Sequence, residues 1–367
     1  MRVPQLIPYV GAEELTNLEA AIKNKWLTEG PFSDHFLNLI KDFTGAKYAV
    51  LASNGTLALF LSLKAIGIKR DDEVIVPDFT FIASATSIVF AGASPVFVDV
   101  DERSLNIDVS KIEDAITEQT KAIMPVHLYG QSADMDPILK IANKHNLKII
   151  EDAAQGYGVF YKMCHVGTLG DIGIISFFAD KTVTTGEGAV ILTNNKEIYE
   201  KLMYLRNQGR LHSGTFEHAH LGMNFRMTDL QCAVGVAQLM KFENIKRIKL
   251  GNYNLYKELL KDVDGIEFVD EMKYSNFIPF RANVRVSDLK GLMVFLEDND
   301  IQTRGFFYPL HRQPCFKYVT RYSYAKDEFP VSNKLYDTGL SLPIFCDLRE
   351  EQIHYVCDKI KEFMESK

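Results

Sequence analysis

Between residues 48 and 193, short unbroken apolar runs alternate with segments of helical spacing, and this alternation restricts the fold more than any other feature. "YAVLAS" (48–53) reads as a strand, "TLALFLSLKAIG" (56–67) as a helix and "DEVIVP" (72–77) as a strand. Helix "ASATSIVFAG" (83–92), strand "SPVFVDV" (94–100) and helix "VSKIEDAI" (109–116) continue the pattern. Strand "KAIMPVH" (121–127), helix "PILKIANKH" (137–145) and strand "LKIIEDAA" (147–154) extend it, with further apolar runs at 172–178 and 189–193. A strand that is apolar on every residue is covered on both faces. The alternation therefore predicts an α/β fold with a mainly parallel central sheet between helices.

Outside this region the pattern changes. Residues 12–24 and 35–44 read as helices, as do 196–209 and a long stretch from 227 to near Leu260. Beyond it, "NFIPFRANV" (276–284), a helix near 287–298, "IQTRGFF" (301–307) and a final helix from 349 suggest a smaller α+β unit. The expected division is a large domain over 1–250 and a small C-terminal domain over 251–367. A net charge of -7 without a long basic run argues against nucleic-acid binding. No apolar run reaches membrane-spanning length, and no signal-peptide core opens the chain. The five cysteines are scattered, odd in number and not in metal-binding spacing, which suggests reduced thiols in a cytoplasmic protein.

Ligands of parallel α/β sheets gather beyond the carboxyl ends of the strands, and three short motifs fall there. "SNGT" (53–56) follows a strand and opens a helix, so its amides and the Thr56 hydroxyl suit a phosphate; an ordinary Asn-Gly turn with a capping threonine is the alternative. "EDAAQ" (151–155) can aim one carboxylate, Asp152, into the crevice, where a buried charge needs a partner. Lys181 follows "DIGIISFF" near Ser176 and precedes "TTGEG". A lysine in an apolar crevice has a lowered pKa and becomes a usable nucleophile. A carboxylate for a pyridinium nitrogen, a phosphate cradle and a Schiff-base lysine are together what pyridoxal 5′-phosphate requires.

The chain resembles the DegT group of sugar-nucleotide aminotransferases, which share the aspartate-aminotransferase fold. The likeness rests on "KNKWLTEGPF", "ASNGTLALFLSLKAIGI", "DEVIVPDFTFIASA", "IIEDAAQGYG", "VGTLGDIGIISFFADKTVTTGEG", "LGMNFRMTDLQCAVGVAQL" and "FFYPLHRQP". Through "SFF..K..TTGEG" it resembles perosamine-synthase-like members. The resemblance implies that Lys181 anchors pyridoxal phosphate covalently and that Asp152 pairs with its ring nitrogen. It implies that Gln155 bonds the phenolic oxygen, Phe81 stacks on the ring, and Gly55, Thr56 and Ser176 hold the phosphate. Asn224, in "LGMNFRM", is implied to reach the phosphate from a second subunit, making a homodimer with shared sites. Lysine where some relatives carry histidine implies transamination rather than dehydration. Ala189 replaces a glycine usual in the family and is expected to alter a loop beside the site.

The implied reaction takes an amino group from an amino acid, usually glutamate, to a ketone. The acceptor is expected to be a nucleotide-linked 4-keto-6-deoxyhexose of polysaccharide synthesis. A small ketone such as a ketose phosphate is the alternative, and a non-catalytic regulator with the same fold is a second. Trp26, Arg226, Arg304 and His311 are the candidates for substrate contact. His127 reads as a core histidine or a site contact. His212, His218 and His220 read as a polar loop, since no acidic or cysteine ligands accompany them at metal spacing.

Overall fold

The computed structural model describes residues 1–211, 214, 216–317 and 328–366. Its strands are β1 (Tyr48–Ala52), β2 (Glu73–Pro77), β3 (Ser94–Val98), β4 (Thr120–Ile123), β5 (Lys148–Asp152), β6 (Phe160–Tyr161), β7 (Cys164–His165), β8 (Ile172–Ser176) and β9 (Ala189–Thr193). A second group comprises β10 (Ile266–Phe268), β11 (Ala282–Val286), β12 (Arg304–Gly305) and β13 (Gly339–Leu342). The large sheet has the order β1-β9-β8-β5-β4-β2-β3. Strands β3, β2, β4, β5 and β8 are mutually parallel, and β9 runs against both β8 and β1. The carboxyl ends of β1, β5 and β8 therefore lie along one edge.

The apolar runs are continuous because neighbouring residues serve different cores. Ile75, Ile149, Ile175 and Leu192 pack on one face of the sheet. Val76, Ile150, Ile174 and Ile191 pack on the other. Side chains alternate along a strand, so both faces of each strand must be apolar. The helix Gly55–Ala65 is likewise buried on most sides, with Ala58, Leu59, Leu61 and Leu63 at 1% exposure or less. A separate core holds Tyr253, Tyr256, Val284, Leu292, Leu340 and Val356, and Val3 from the N-terminus joins it. Phe79, Tyr129, Phe280 and Phe306 form a fourth cluster that joins the strand ends of the large sheet to the small sheet.

Several expectations are corrected. Residues 109–116 form two 3-10 turns, Val109–Lys111 and Glu113–Ala115, not a helix. The Asp108 carboxylate accepts from both the amide and the hydroxyl of Ser110, and such local bonds compete with helix propagation. The stretch from 227 is two helices, Asp229–Met240 and Phe242–Leu260, broken at Lys241. The second helix spans residue 250. Only Arg304–Gly305 of the run 301–307 is strand. Strand β13, "GLSL", pairs with both β11 and β12 but is too short and mixed to read from periodicity.

Candidate active site

A cavity of about 870 Å³ lies at the shared carboxyl edge. The segment after β1 contributes Gly55 and Thr56, the end of β5 contributes Asp152 and Gln155, and the end of β8 contributes Ser176 and Lys181. Phe81 and Arg304 line it as well.

Asp152 is the last residue of β5 and is 4% exposed. Its Oδ2 accepts from the Ser84 hydroxyl at 2.7 Å, and its Oδ1 accepts from the Ala154 amide at 3.1 Å. No lysine, arginine or histidine of the described residues forms an ion pair with it. Its neighbour Glu151 faces away and is wholly buried. There it accepts amides of Gly167, Leu169 and Gly170 at 2.6–2.7 Å, and the His127 Nε2–H at 3.0 Å. His127 Nδ1 accepts the Ala133 amide at 3.2 Å, so this ring belongs to the core. Strand alternation thus separates a structural carboxylate from one that a cationic ligand can complete.

The loop carrying Lys181 is pinned at its base. The Phe177 carbonyl accepts the Thr185 amide at 2.9 Å and the Thr184 hydroxyl at 3.1 Å. The Phe177 ring packs edge-on against Phe36 at 5.1 Å. Gly186 makes the turn with φ +80°, and a Cβ at Gly188 would meet Thr185 Oγ1 at 2.5 Å. Lys181 is half-buried, with Nζ 4.8 Å from the centre of the Phe280 ring. Burial lowers its pKa below the ordinary lysine value; Asp180 and Asp152 oppose that shift, and Arg281 adds to it.

The opposite end of the cavity is formed by the start of a helix. Asn54 caps the helix Gly55–Ala65 by accepting the Leu57 amide at 3.0 Å, so the cap is Asn54 rather than Thr56. The Gly55 and Thr56 amides have no acceptor among the described residues, and no acidic residue occupies the first turn. A Cβ on Gly55 would stand 3.1 Å from Ser176 Cβ and 3.2 Å from its Oγ. The space between helix end and serine is therefore kept open by glycine, as a phosphate cradle requires. Gln155 Oε1 accepts the Tyr129 amide at 2.8 Å, leaving its NH₂ for a ligand. Phe81 is 55% exposed and lines the cavity, so its ring is accessible to a ligand there.

Four sequence candidates do not line this cavity. Trp26 is exposed, its Nε1–H donating to the Glu29 carbonyl at 2.6 Å. Asn224 is exposed, and Arg226 is half-buried with Nη1 donating to Asn207 Oδ1 at 2.6 Å. His311 is buried in the core, where Nδ1 and the backbone amide each meet an Asp78 oxygen at 2.7 Å. Ala189 opens β9 opposite Ala52 and Ser176, in strand rather than loop. His218 donates to the Gln208 carbonyl, His220 stacks on Tyr204, and His212 lies outside the described residues.

Sequence reasoning missed Ser84, Tyr129, Asp180, Phe280, Arg281 and Lys249. A lone cation inside the apolar "FIPFRANV" was the available signal for Arg281. Lys249, 3% exposed, makes no ion pair among the described residues, where its Nζ reaches Thr182 Oγ1 at 3.4 Å and the Phe280 carbonyl at 3.5 Å. Burial lowers its pKa from 10.5 to about 8. The unfolded chain then binds the proton more tightly, so this lysine weakens the fold fully below about 8 and not at all above 10.5. Lys249→Met is expected to raise neutral-pH stability by on the order of 3 kcal/mol. Urea midpoints taken at rising pH should show that gain shrinking through the 8 to 10.5 window.

A sheet of this order, a lysine after β8 and a carboxylate at the end of β5 fit a pyridoxal-phosphate-dependent aminotransferase. Residues 8–361 match the model of the DegT/DnrJ/EryC1/StrS aminotransferase family, and the chain belongs to that family. It is 36% identical over 367 residues to the GDP-perosamine synthase of Escherichia coli O157:H7, covering 100% of this chain and 99% of that protein. It is also 36% identical, over 328 residues, to a UDP-N-acetyl-3-dehydro-alpha-D-glucosamine 3-aminotransferase of Acidithiobacillus ferrooxidans, covering 88% and 86% of the two chains. The crystal structure of S. venezuelae DesV in complex with a ketimine intermediate superposes with a TM-score of 0.93 at 30% identity, covering 99% of each chain. No described helix is long and apolar enough to cross a membrane.

Gly55→Val is expected to weaken pyridoxal-phosphate binding about tenfold or more, because the new side chain overfills the cradle. Fluorescence titration of the apoprotein with cofactor measures it, and an unchanged affinity would remove Gly55 from the phosphate site.

Proposed function

We propose that the chain moves the amino group of glutamate to the keto carbon of a nucleotide-linked 4-keto-6-deoxyhexose destined for surface polysaccharide. The observation that carries this reading is one cavity uniting Lys181, a buried Asp152 with no ion pair among the described residues, and an open helix end. Pyridoxal phosphate, when bound, supplies an electron sink for the carbon that loses its proton. Gly55, Thr56 and Ser176 hold its phosphate, the Gln155 NH₂ bonds its phenolic oxygen, and Phe81 covers its ring. The Asp152 carboxylate holds the proton on the ring nitrogen, and Ser84 and Ala154 hold that carboxylate in place.

Lys181 is the covalent anchor and then the base. Its lowered pKa enriches the neutral amine, so Nζ can take a proton from the substrate carbon and return it to the neighbouring acceptor position. Phe178, Phe280, Phe306 and Phe307 wall the cavity with apolar surface and limit water there. Full-length similarity to GDP-perosamine synthase supports a nucleotide-linked 4-keto acceptor. The equal identity to a 3-aminotransferase of a UDP-sugar makes the nucleotide and the ring position the quantities to measure. Glutamate with GDP-4-keto, UDP-3-keto and small phosphorylated ketones, read by product mass, decides among them. A higher kcat/KM for a small ketone phosphate would overturn the nucleotide assignment and leave transamination standing.

In this reading two copies complete each site. Asn224, Arg226 and Trp26 are outside the chain's own cavity, and Leu27, Leu221 and Met223 beside them in sequence are exposed apolar side chains. A second copy that covers these side chains brings Asn224 to its neighbour's cofactor phosphate. Lys181→Ala and Asn224→Ala homodimers are each expected to be impaired. Mixing them with verified subunit exchange should restore part of the activity, since one of the two sites in a mixed dimer carries neither lesion. Exchange without recovery would place Asn224 in its own subunit's chemistry or in none.

A further inference from the structure

Arg281 is 3% exposed yet lines the cavity, directly after the Phe280 ring that stands 4.8 Å from Lys181 Nζ. Its Nη2 donates to Asp180 Oδ2 at 2.5 Å. Its Nη1 is buried and has no hydrogen-bond partner among the described residues. Arg304, also on the cavity wall, approaches the same Asp180 oxygen at 3.9 Å. Glu187, another carboxylate of the wall, pairs with neither arginine among the described residues. Two guanidiniums thus share one carboxylate beside the reactive lysine. Arg304 is 63% exposed and keeps its charge in solvent, whereas the Arg281 Nη1 donor is buried and uncompensated, a state that a ligand entering the cavity would complete.

We infer that Arg281, supported by Arg304, receives the α-carboxylate of the amino-acid donor. The inference rests on the donor half of the proposed function. A guanidinium and a carboxylate match as planar partners, and Asp180 already holds the Arg281 plane, so the donor meets a preset edge. Reach selects the carboxylate over the sugar diphosphate. In an amino acid the carboxylate is bonded to the very carbon that must meet Lys181 Nζ. In a sugar nucleotide the pyranose ring separates the keto carbon from the diphosphate, and that anion must lie farther from the lysine.

The test separates the two half-reactions of the holoenzyme by stopped-flow absorbance. Arg281→Gln is expected to raise the glutamate concentration for half-maximal conversion by about 10- to 100-fold, the worth of a charge-assisted hydrogen bond. The same variant should leave the half-saturating concentration of the keto-sugar little changed in the second half-reaction. Calorimetric titration of the holoenzyme with 2-oxoglutarate should lose affinity in step, a readout independent of turnover. Arg281→Lys, which keeps the charge and loses the fork, should fall between. Asp180→Asn with Arg281→Gln leaves no unpaired buried carboxylate, and the same split is required of it. An unchanged glutamate response overturns the inference, as does a loss confined to the keto-sugar, which would assign Arg281 to the diphosphate. A wild-type holoenzyme that converts with no amino acid overturns the aminotransferase reading itself, before any variant is made.

Discussion

Lys181→Ala is expected to lose amino transfer by roughly four powers of ten or more, because it removes both a nucleophile and a general base from one position. Proton transfer by a placed side chain contributes about 10²- to 10⁴-fold alone. The fold should survive, since Lys181 lies in a loop whose base is pinned by Phe177, Thr184 and Thr185 and not by the lysine side chain. Thermal melting of the apoprotein checks that point. Borohydride reduction of wild-type holoenzyme should leave the cofactor's mass on the peptide holding Lys181. Recovery of that mass on Lys249, a buried lysine that also faces the Phe280 ring, would reassign the anchor.

Asp152→Asn should lower turnover by roughly two to four powers of ten. Breaking a buried ion pair costs about 3–5 kcal/mol, and each 1.36 kcal/mol in a barrier is about tenfold in rate. Cofactor binding should suffer less, because the phosphate contacts proposed for Gly55, Thr56 and Ser176 lie at the other end. The absorbance of the bound cofactor should report an altered ring protonation even where turnover is too slow to measure. Ser84→Ala, which removes the hydroxyl holding Asp152 Oδ2 at 2.7 Å, should give a smaller loss of the same kind. Wild-type turnover in Asp152→Asn would exclude the pairing role.

The parallel sheet was legible because burial on both faces leaves its mark locally: Val74, Ile75 and Val76 are each wholly buried, and the run says so before any contact is known. The same holds for Lys181 and Asp152, each flagged by polarity at the end of such a run. The 3-10 turns at 109–115 were not legible, because a side chain bonding its neighbour's amide overrode helical spacing. Nor was β13, a strand of four residues whose identity depends on being paired from both sides.

The residues opposite the lysine show where a chain's own order stops being informative. Arg281 is one hundred and one positions from Asp180, and only the packing of the small sheet on the fourth apolar cluster brings them to 2.5 Å. His311 and Arg304 are only seven positions apart in the chain, yet one is sealed against Asp78 and the other faces the cavity. Periodicity and motif order, which depend on backbone geometry within a segment, determined the class of fold and pointed to the cofactor chemistry and to the lysine proposed as its anchor. Which buried charge is paired, and which is left open for a substrate, depends on distances between segments far apart in the chain. Those distances exist only after the apolar cores have closed.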